Sequence, residues 1–451
     1  MHRSIDMTSG NTTKLLLQLA IPLILTNLGQ QMYSIVDAII VGRNVGVSAF
    51  ASLGACDWLY YLVLWSILAL TQGFSAVVAQ NFGSGNKEKF RKSVCMCILV
   101  TIVIGILYTV VSTSAAVPLL RLLGTEDSIF SGARTYLTAM YAGSLIVLGY
   151  NMAAAILRAV GDGKTPLIAM IVAGFCNVGL DVLFVAVFRW GILGAAFATL
   201  LAQLIAFLYC YAVMRKSDVF HMQQGDFLPD KSIILQLCRL GIPQAISQSI
   251  TVIGGIYAQS VINAYGYIVV AGCTAANKLH GLMDTSSAAF GFASSTFLGQ
   301  NYGAKKMDRV RSGIRRGIVI SLCIAGIILL TMVLFGHQIV GLFLSKDVTD
   351  AAAALDVTYR YTMVMAYCLP MCYLMNLFRY SLQGIGNTVA PMLSGICEMG
   401  ARICATAFLP AVLGQLGLFL MDGSAWAAAG IFQMTAFFVT LHRIQKNMAV
   451  S

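Results

Sequence analysis

Residues 166–188, PLIAMIVAGFCNVGLDVLFVAVF, form an uninterrupted run that is long and apolar enough to cross a membrane. Two of its side chains, those of Asn177 and Asp181, are polar and cost free energy to bury at membrane depth. They lie one helical turn apart on a common face. An ionised Asp in the middle of a membrane helix costs roughly 2.5–3.5 kcal/mol on insertion scales. Because an apolar replacement would remove this cost, we interpret Asp181 as half of a cation-binding site.

The composition of the whole chain points to the same environment. The chain has 451 residues, of which 58% are hydrophobic and 10% charged, and its mean hydropathy is +0.81. A soluble core cannot hide this much apolar surface, so the chain is predicted to be a polytopic membrane protein. The formal charge of +11 resides in short loops between apolar runs, which does not indicate a nucleic-acid partner.

The sequence contains apolar runs that predict twelve transmembrane helices and an all-α fold. The first run is too long for a cleavable signal peptide and lacks a cleavage site. The predicted spans are residues 15–41, 51–80, 94–118, 133–157, 166–188, 191–213, 240–263, 268–299, 317–343, 359–382, 391–413 and 419–441.

Basic residues are distributed unequally between the two sides of these spans. One side, which includes both termini, holds 20 of the 29 Lys and Arg residues. Among the few on the opposite side are Arg43, Arg121, Arg189 and Lys346. By the positive-inside rule, the chain is predicted to be a multi-pass protein of the cytoplasmic membrane with both termini in the cytoplasm.

An internal repeat divides the chain near its middle. Three short motifs recur in the same order, at offsets of 221, 220 and 225 residues. The matched pairs are LAIP at 19–22 with LGIP at 240–243, QNFG at 80–83 with QNYG at 300–303, and LRAVG at 157–161 with LQGIG at 382–386.

The repeat predicts two six-helix lobes, residues 1–213 and 240–451, joined by a cytoplasmic linker at residues 214–239. Because each half has an even number of spans, a pseudo-twofold axis along the membrane normal should relate them. Duplicated halves around a cavity are typical of carriers that work by alternating access.

Several motifs resemble those of a known transporter family, the multidrug and toxic compound extrusion (MATE) family. They are DMTSG at 6–10, AIP at 20–22, QMYSIVD at 31–37, VGR at 41–43, the paired QNFG and QNYGA motifs, and LRAVGDG at 157–163. The resemblance extends from residue 6 to about residue 440. It implies two six-helix lobes and the export of organic cations against an inward flow of Na⁺ or H⁺.

The resemblance also implies a coupling-ion site in the first lobe. Members with this style of site use an Asp on the first span, an Asn and an Asp on the fifth and a Thr on the sixth. These positions match Asp37, Asn177, Asp181 and Thr199. Their distances along the spans independently place all four in one layer of the outer half. Their oxygen ligands suit Na⁺, and a proton on one carboxylate is the alternative; a structural role in helix contacts is the third possibility.

A second style of coupling site, with acids on spans seven and ten, is not matched, since Thr251 and Cys372 stand at those positions. The second lobe nevertheless contains charged residues of its own. Glu398 and Arg402 are spaced to pair along one helix face. Asp284 could attract a cationic ligand or serve a structural contact. The candidates for a substrate cavity are Tyr33, Lys278, Asp284, Glu398 and Arg402.

Aromatic residues, including Tyr60, cluster near the outer end of span two. They could stack on a drug or mark the membrane interface.

Other function classes find less support in the sequence. No P-loop or clustered catalytic set is present, so we expect neither ATP use, nor enzymatic activity, nor a cofactor other than the coupling ion. A flippase for lipid-linked precursors is the alternative function, and its cavity would need more basic residues than Lys278, Arg379 and Arg402. We expect small organic cations as substrates, the lipid bilayer as surroundings, and function as a monomer.

Overall fold

The computed structural model describes residues 5–341 and 351–450, and within them the fold is entirely helical, with no strand. Arg3 and Lys346, which the topology prediction used, lie outside the described residues. The α-helices are α1 (Thr12–Asn44), α2 (Val47–Gly83), α3 (Lys87–Leu122), α4 (Asp127–Ala142), α5 (Ser144–Ala159), α6 (Lys164–Asp181), α7 (Gly191–Lys216), α8 (Lys231–Asn263), α9 (Tyr267–Gly303), α10 (Met307–Gly341), α11 (Ala351–Gly384), α12 (Val389–Leu413), α13 (Gln415–Phe419) and α14 (Met421–Val450).

Each of the twelve predicted spans coincides with one of these α-helices or, for the fourth span, with the pair α4 and α5; the short α13 lies between the last two spans. In the described residues, ten helices are long and apolar enough to cross a membrane, and the pair α4 and α5 would form an eleventh span. The one remaining span, the eighth in chain order, is α9. It is long enough to cross a membrane, but its many Ser, Thr and Gly residues lower its hydropathy. The prediction of an all-α polytopic membrane protein is confirmed.

Two of the predicted spans are not simple helices. The fourth is bent by 48° between α4 and α5, where Gly143 faces Leu200 so closely that a Cβ would overlap that side chain. The fifth consists of α6 followed by a π-helix at Val182–Val187. This change of helix type begins directly after Asp181, and π-helical turns inside α-helices frequently occur at functional sites.

Local capping explains why one helix begins earlier than predicted. The apolar run of the seventh span starts near residue 240, but α8 begins at Lys231. The Asp230 carboxylate accepts hydrogen bonds from the backbone N–H groups of Ser232 (2.9 Å) and Ile233 (3.2 Å). A side chain that satisfies the free N–H groups of the first turn stabilises a helix start in water.

The chain forms two compact units. The first comprises Leu17–Ala245, Gly299–Lys305 and the described residues before Asn11; the second comprises Asn11–Leu16, Ile246–Leu298 and the described residues after Lys305. In the first unit, α6 packs along α7, and α5 packs against α2 and α7. In the second, α11 packs against α10 and α14, and α12 packs against α14. The division of the chain at residues 213 and 240 stays a prediction.

The segment between α7 and α8 is folded onto the first unit. It contains two short 3₁₀ turns, Asp218–Phe220 and Gln224–Phe227. The buried Asp226 carboxylate accepts hydrogen bonds from the Arg91 Nε (2.8 Å) and the Gln223 backbone N–H (2.9 Å). Burial alone would raise the pKa of Asp226, but these two donors lower it below its ordinary value. The segment is therefore held to α3 by a buried, charge-assisted contact.

The beginning of the chain is also fixed to the first unit. The Met7 N–H donates to the Gln300 Oε1 (2.9 Å), and the Met7 carbonyl accepts from the Asn301 Nδ2 (3.0 Å). The Gln300 Nε2 donates to the Ala159 carbonyl (2.8 Å), and the Ile5 N–H donates to the Val160 carbonyl (3.0 Å). Two of the repeated motifs, QNYG at 300–303 and LRAVG at 157–161, are thus joined with the beginning of the chain in one hydrogen-bond network.

Candidate functional site

The four residues predicted for the coupling ion lie on three helices of the first unit. Asp37 is on α1, Asn177 and Asp181 are on α6, and Thr199 is on α7. All four side chains are buried, Asn177 and Asp181 completely. Four polar side chains are therefore withdrawn from solvent within spans that are otherwise mostly apolar.

The carboxyl groups of Asp37 and Asp181 lie within hydrogen-bonding reach of each other. As two carboxylates they cannot form that bond, because neither has a proton to donate. The Oδ1 of Asp37 and both carboxylate oxygens of Asp181 have no hydrogen-bond partner among the described residues. Two adjacent, buried, unsatisfied carboxylates repel one another, and a shared cation or proton would remove this repulsion.

Asn177 and Thr199 are unsatisfied in the same way. Neither the amide oxygen and nitrogen of Asn177 nor the hydroxyl of Thr199 has a partner in the part of the chain that the structure describes. Asn177 lies one turn before Asp181 on α6, and Thr199 lies on α7, which packs along α6. Since buried polar groups are nearly always paired, this concentration of unpaired oxygen atoms indicates a place for a ligand.

Aromatic and amide groups surround Asp37. The Tyr33 hydroxyl lies beside the amides of Gln30 and Gln203, and the Tyr60 hydroxyl lies beside the same Gln203. Tyr136 is also within electrostatic range of Asp37. Sequence reasoning named Tyr33 and Tyr60 but missed Gln203 and Tyr136. The signal for Gln203 was its position one turn after Thr199 on an apolar helix.

The Glu398–Arg402 pair exists, but it belongs to a larger network in the second unit. The Arg402 Nη2 donates to the Glu398 Oε1 at 3.2 Å, and the other Glu398 oxygen accepts from Arg379. The Arg402 Nε donates to the Asp422 Oδ1 at 2.9 Å, and the Tyr361 hydroxyl donates to the Asp422 Oδ2 at 3.0 Å. Two cations and two anions neutralise each other here, which is typical of a structural network.

Asp284 and Lys278, the other candidates of the second unit, have different surroundings. The Asp284 Oδ1 accepts from the Cys372 Sγ and the Asn376 Nδ2, both at 3.2 Å. Lys278 is exposed on α9 and has no ion pair with any described carboxylate. The structure therefore does not bring Lys278 and Asp284 together as a pair.

The second coupling style needs an acid on span seven and another on span ten. Neutral residues stand at both positions, and each contacts an acidic residue from a neighbouring helix. Cys372 contacts Asp284, and the Thr251 hydroxyl lies 3.5 Å from the Glu398 Oε2. Both acids already have other donors, and Glu398 lies between two arginines. Of the two units, the first contains the pair of acids whose oxygens lack donors.

The donor set of the first unit suits a hard monovalent cation or a proton. It offers two carboxylates, an amide and a hydroxyl, which are oxygen ligands of the kind that Na⁺ accepts. Across residues 5–341 and 351–450, no group of three or more His, Cys, Asp or Glu residues could hold a metal ion. The arrangement thus differs from that of a zinc-type site.

A family model described as MatE matches residues 22–183 and 243–407, which are corresponding parts of the two halves. The chain belongs to the MatE family. The resemblance drawn from the short motifs is thereby confirmed. This is a family of multidrug efflux transporters.

Curated relatives match this MatE chain over most of its length. The probable multidrug resistance protein YpnP of Bacillus subtilis (strain 168) is 29% identical over 432 residues, which cover 94% of each chain. The probable multidrug resistance protein NorM of Thermotoga maritima is 24% identical over 414 residues, covering 90% of this chain and 87% of NorM.

Solved structures establish the fold independently. The crystal structure of MATE in complex with MaL6 has a TM-score of 0.90 and 21% identity, and it covers 99% of this chain and 100% of its own. A second structure is described as the outward-facing conformation of a multidrug resistance MATE family transporter of the MOP superfamily. It has a TM-score of 0.89 and 22% identity, and the match covers 98% of this chain and 99% of that transporter. The twelve-helix, two-lobe layout of this MatE chain fits that fold.

Proposed function

We propose that this chain exports small organic cations and couples that export to inward movement of Na⁺ or H⁺, which binds at Asp37, Asn177, Asp181 and Thr199. The observation that carries the proposal is the pair of buried carboxylates, Asp37 and Asp181, whose facing oxygens have no donor. The names of the relatives, which are multidrug resistance proteins, support drugs as the class of substrate.

Electrostatic repulsion gives this site a way to favour one conformation over another. Without a cation, Asp37 and Asp181 repel each other in a medium of low polarity, and this raises the free energy of the arrangement of α1 and α6 in which the two carboxylates are adjacent. A bound Na⁺ or proton removes the repulsion and so favours that arrangement. An organic cation that approaches Asp37 would compete with the ion for the same negative charge. Ion and drug would then occupy the protein in turn, as an antiporter requires.

The neighbours of Asp37 are suited to a varied set of flat cations. Tyr33, Tyr60 and Tyr136 bring aromatic rings near Asp37, and the faces of aromatic rings attract cations. Such contacts depend little on the detailed shape of the substrate. Gln203 offers an amide that can donate or accept a hydrogen bond, and its Oε1 has no partner among the described residues.

A flippase for lipid-linked precursors is not favoured. Such a protein would hold a pyrophosphate group and would need basic residues along its cavity. Two of the three basic residues considered for that purpose, Arg379 and Arg402, are neutralised by Glu398 and Asp422. Lys278 alone remains without a described acidic partner, which is little for a doubly charged group.

Efflux from proteoliposomes under separately imposed gradients tests the proposal. The purified chain would be reconstituted with a fluorescent organic cation, and a Na⁺ gradient and a pH gradient would be applied one at a time. We expect at least one gradient to accelerate efflux of the dye. Efflux that responds to neither gradient would contradict ion coupling, and gradient-independent translocation of a pyrophosphate-linked lipid would favour the flippase instead.

A further inference from the structure

We propose that the second unit has a binding site for anionic phospholipid headgroups at the basic end of α10. This site goes beyond the transport function and does not depend on it. Its basic side chains, called here the α10 basic patch, come from three helix ends of the same unit and are all exposed. They are Lys14, Arg311, Arg315, Arg316, Arg443 and Lys446.

Contacts between helix ends bring the α10 basic patch together. Arg311 on α10 donates a hydrogen bond to the Gln445 Oε1 on α14, and Arg443 and Lys446 lie within one turn of Gln445. The hydroxyl of Ser312, next to Arg311, lies 3.5 Å from the hydroxyl of Thr12 at the start of α1, two residues before Lys14. The basic residues of α1, α10 and α14 therefore lie at helix ends that contact one another.

The patch is not neutralised by the protein. Within residues 5–341 and 351–450, none of its six side chains has a carboxylate within ion-pair distance. Asp308 is the nearest acid along α10, one turn before Arg311, and no ion pair joins the two. Six exposed positive charges are left for a partner of the opposite sign.

The face of α10 that carries these charges continues as an apolar face directed outward from the helix bundle. Arg311 and Arg315 are followed along the same stripe by Val319 and Leu322, which are 57% and 40% exposed. In a spanning helix such residues contact acyl chains. A stripe with guanidinium groups at its end and exposed aliphatic residues below matches a phospholipid, whose phosphate lies above its acyl chains.

The corresponding helix of the first unit shows that this free charge is not simply a consequence of topology. In the internal repeat, the start of α3 corresponds to the start of α10. Like α10, α3 begins with basic residues. There, however, Lys92 pairs with Glu88 at 2.9 Å, and Arg91 pairs with Asp226 at 2.8 Å. The positive-inside rule accounts for basic residues at both helix starts. It does not account for the ion pairs at the start of α3, when Arg311, Arg315 and Arg316 on α10 have none among the described residues.

Native mass spectrometry of the full-length protein with added phosphatidylglycerol or phosphatidylcholine tests this inference. Wild type should retain phosphatidylglycerol in preference to phosphatidylcholine. The double variant R311Q/R315Q should bind phosphatidylglycerol ~10-fold or more weakly, since each basic residue near a surface contributes substantially to anionic-lipid binding. The matched control K87Q/K89Q removes two exposed charges at the start of α3 and should bind as wild type does.

Equal binding by R311Q/R315Q and wild type, or an equal loss in the K87Q/K89Q control, would overturn the proposal. Two measurements on wild type keep it testable if the double variant does not fold. Phosphatidylglycerol binding should weaken as ionic strength rises, because exposed charges are screened by salt. Inorganic phosphate should not displace the lipid, since it makes no contact with Val319 or Leu322. Salt-independent binding would contradict the inference, and so would complete displacement by phosphate, which would indicate a site for free anions.

Discussion

Gly83 at the end of α2 lies against the backbone of Gln300 near the end of α9, so closely that a Cβ on Gly83 would overlap the Gln300 carbonyl. The contact is reciprocal: a Cβ on Gly303 would overlap the Gln80 carbonyl in the same way. These residues belong to the QNFG and QNYG motifs, which occupy corresponding places in the two halves of the chain. The two motifs therefore pack against each other, and the glycines permit this approach.

Gly83→Ala should destabilise the protein by about 1–3 kcal/mol, because the overlap is with backbone and cannot be relieved by a rotamer change. Gly54→Ala, in the same helix, is the matched control, since nothing lies within 4 Å of its Cβ position; it should be neutral or slightly stabilising. Thermal unfolding of the purified variants measures both effects. A Gly83→Ala protein as stable as wild type would show that the two helix ends need not touch.

Glu398→Gln should destabilise the second unit by about 3–5 kcal/mol, because it leaves the buried Arg379 and Arg402 with too little negative charge. Asp356→Asn breaks an exposed pair with Arg360 on α11 and should cost less than about 0.5 kcal/mol. Thermal unfolding in detergent would compare the two variants. If Glu398→Gln unfolds like wild type but loses transport, Glu398 acts in coupling rather than in structure.

Asp226→Asn should release the segment between α7 and α8 and lower stability by about 1–3 kcal/mol at neutral pH. The pKa of Asp226 is lower in the folded protein than in the unfolded chain, so its stabilising contribution is complete above the unfolded value, about 3.9, and is lost as pH falls through the folded value. The difference between wild type and variant should therefore begin to shrink below about pH 4 and vanish once pH is below the folded value. The exposed Glu88→Gln serves as a control; a difference that persists in acid would contradict this account.

A cysteine introduced at the exposed Gln224 should not react with a membrane-impermeant thiol reagent added outside intact cells, because the distribution of basic residues predicts a cytoplasmic location for this segment. A cysteine at the exposed Glu126, between α3 and α4, should react and serves as the positive control. Reaction of the cysteine at position 224, with no reaction at position 126, would show that the orientation is opposite to the predicted one.

Much of the fold could be predicted from apolar runs, because a membrane helix must satisfy its own backbone groups over a fixed thickness. The bend between α4 and α5 at Gly143 was not predicted, and the close approach of Leu200 from α7 at this point involves a residue distant in sequence. The early start of α8 was in principle readable, because Asp230 is a favourable capping residue directly before Lys231.

The candidate site was partly predictable for a similar reason. Polar residues are rare in spans, so Asp37, Asn177, Asp181 and Thr199 stand out in the sequence, and the structure places the first and third side by side. The larger network around Glu398 was not predictable, because Arg379 and Asp422 lie 19 and 24 residues from it and reach it only through the packing of α11, α12 and α14. Helical spacing reveals partners on one helix, and partners on neighbouring helices depend on the tertiary fold.

The central claim is that Asp181 binds the coupling ion together with Asp37. Asp181→Asn preserves the size of the side chain and removes its charge. A neutral amide is cheaper to bury than a carboxylate, so the variant should fold at least as well as wild type. Thr251→Ala is the control from the second unit, since the Thr251 hydroxyl donates to the Ser247 carbonyl of its own helix at 3.2 Å and lies 3.5 Å from the Glu398 Oε2.

The most direct test is ion-driven efflux of a fluorescent organic cation from proteoliposomes that contain wild type, Asp181→Asn or Thr251→Ala protein. Thermal unfolding of each variant with and without the coupling ion is measured alongside. We predict that Asp181→Asn abolishes coupled efflux and also the stabilisation that the ion gives to wild type, while Thr251→Ala retains both. Wild-type efflux by a well-folded Asp181→Asn protein would contradict the claim and would show that the ion is coupled elsewhere.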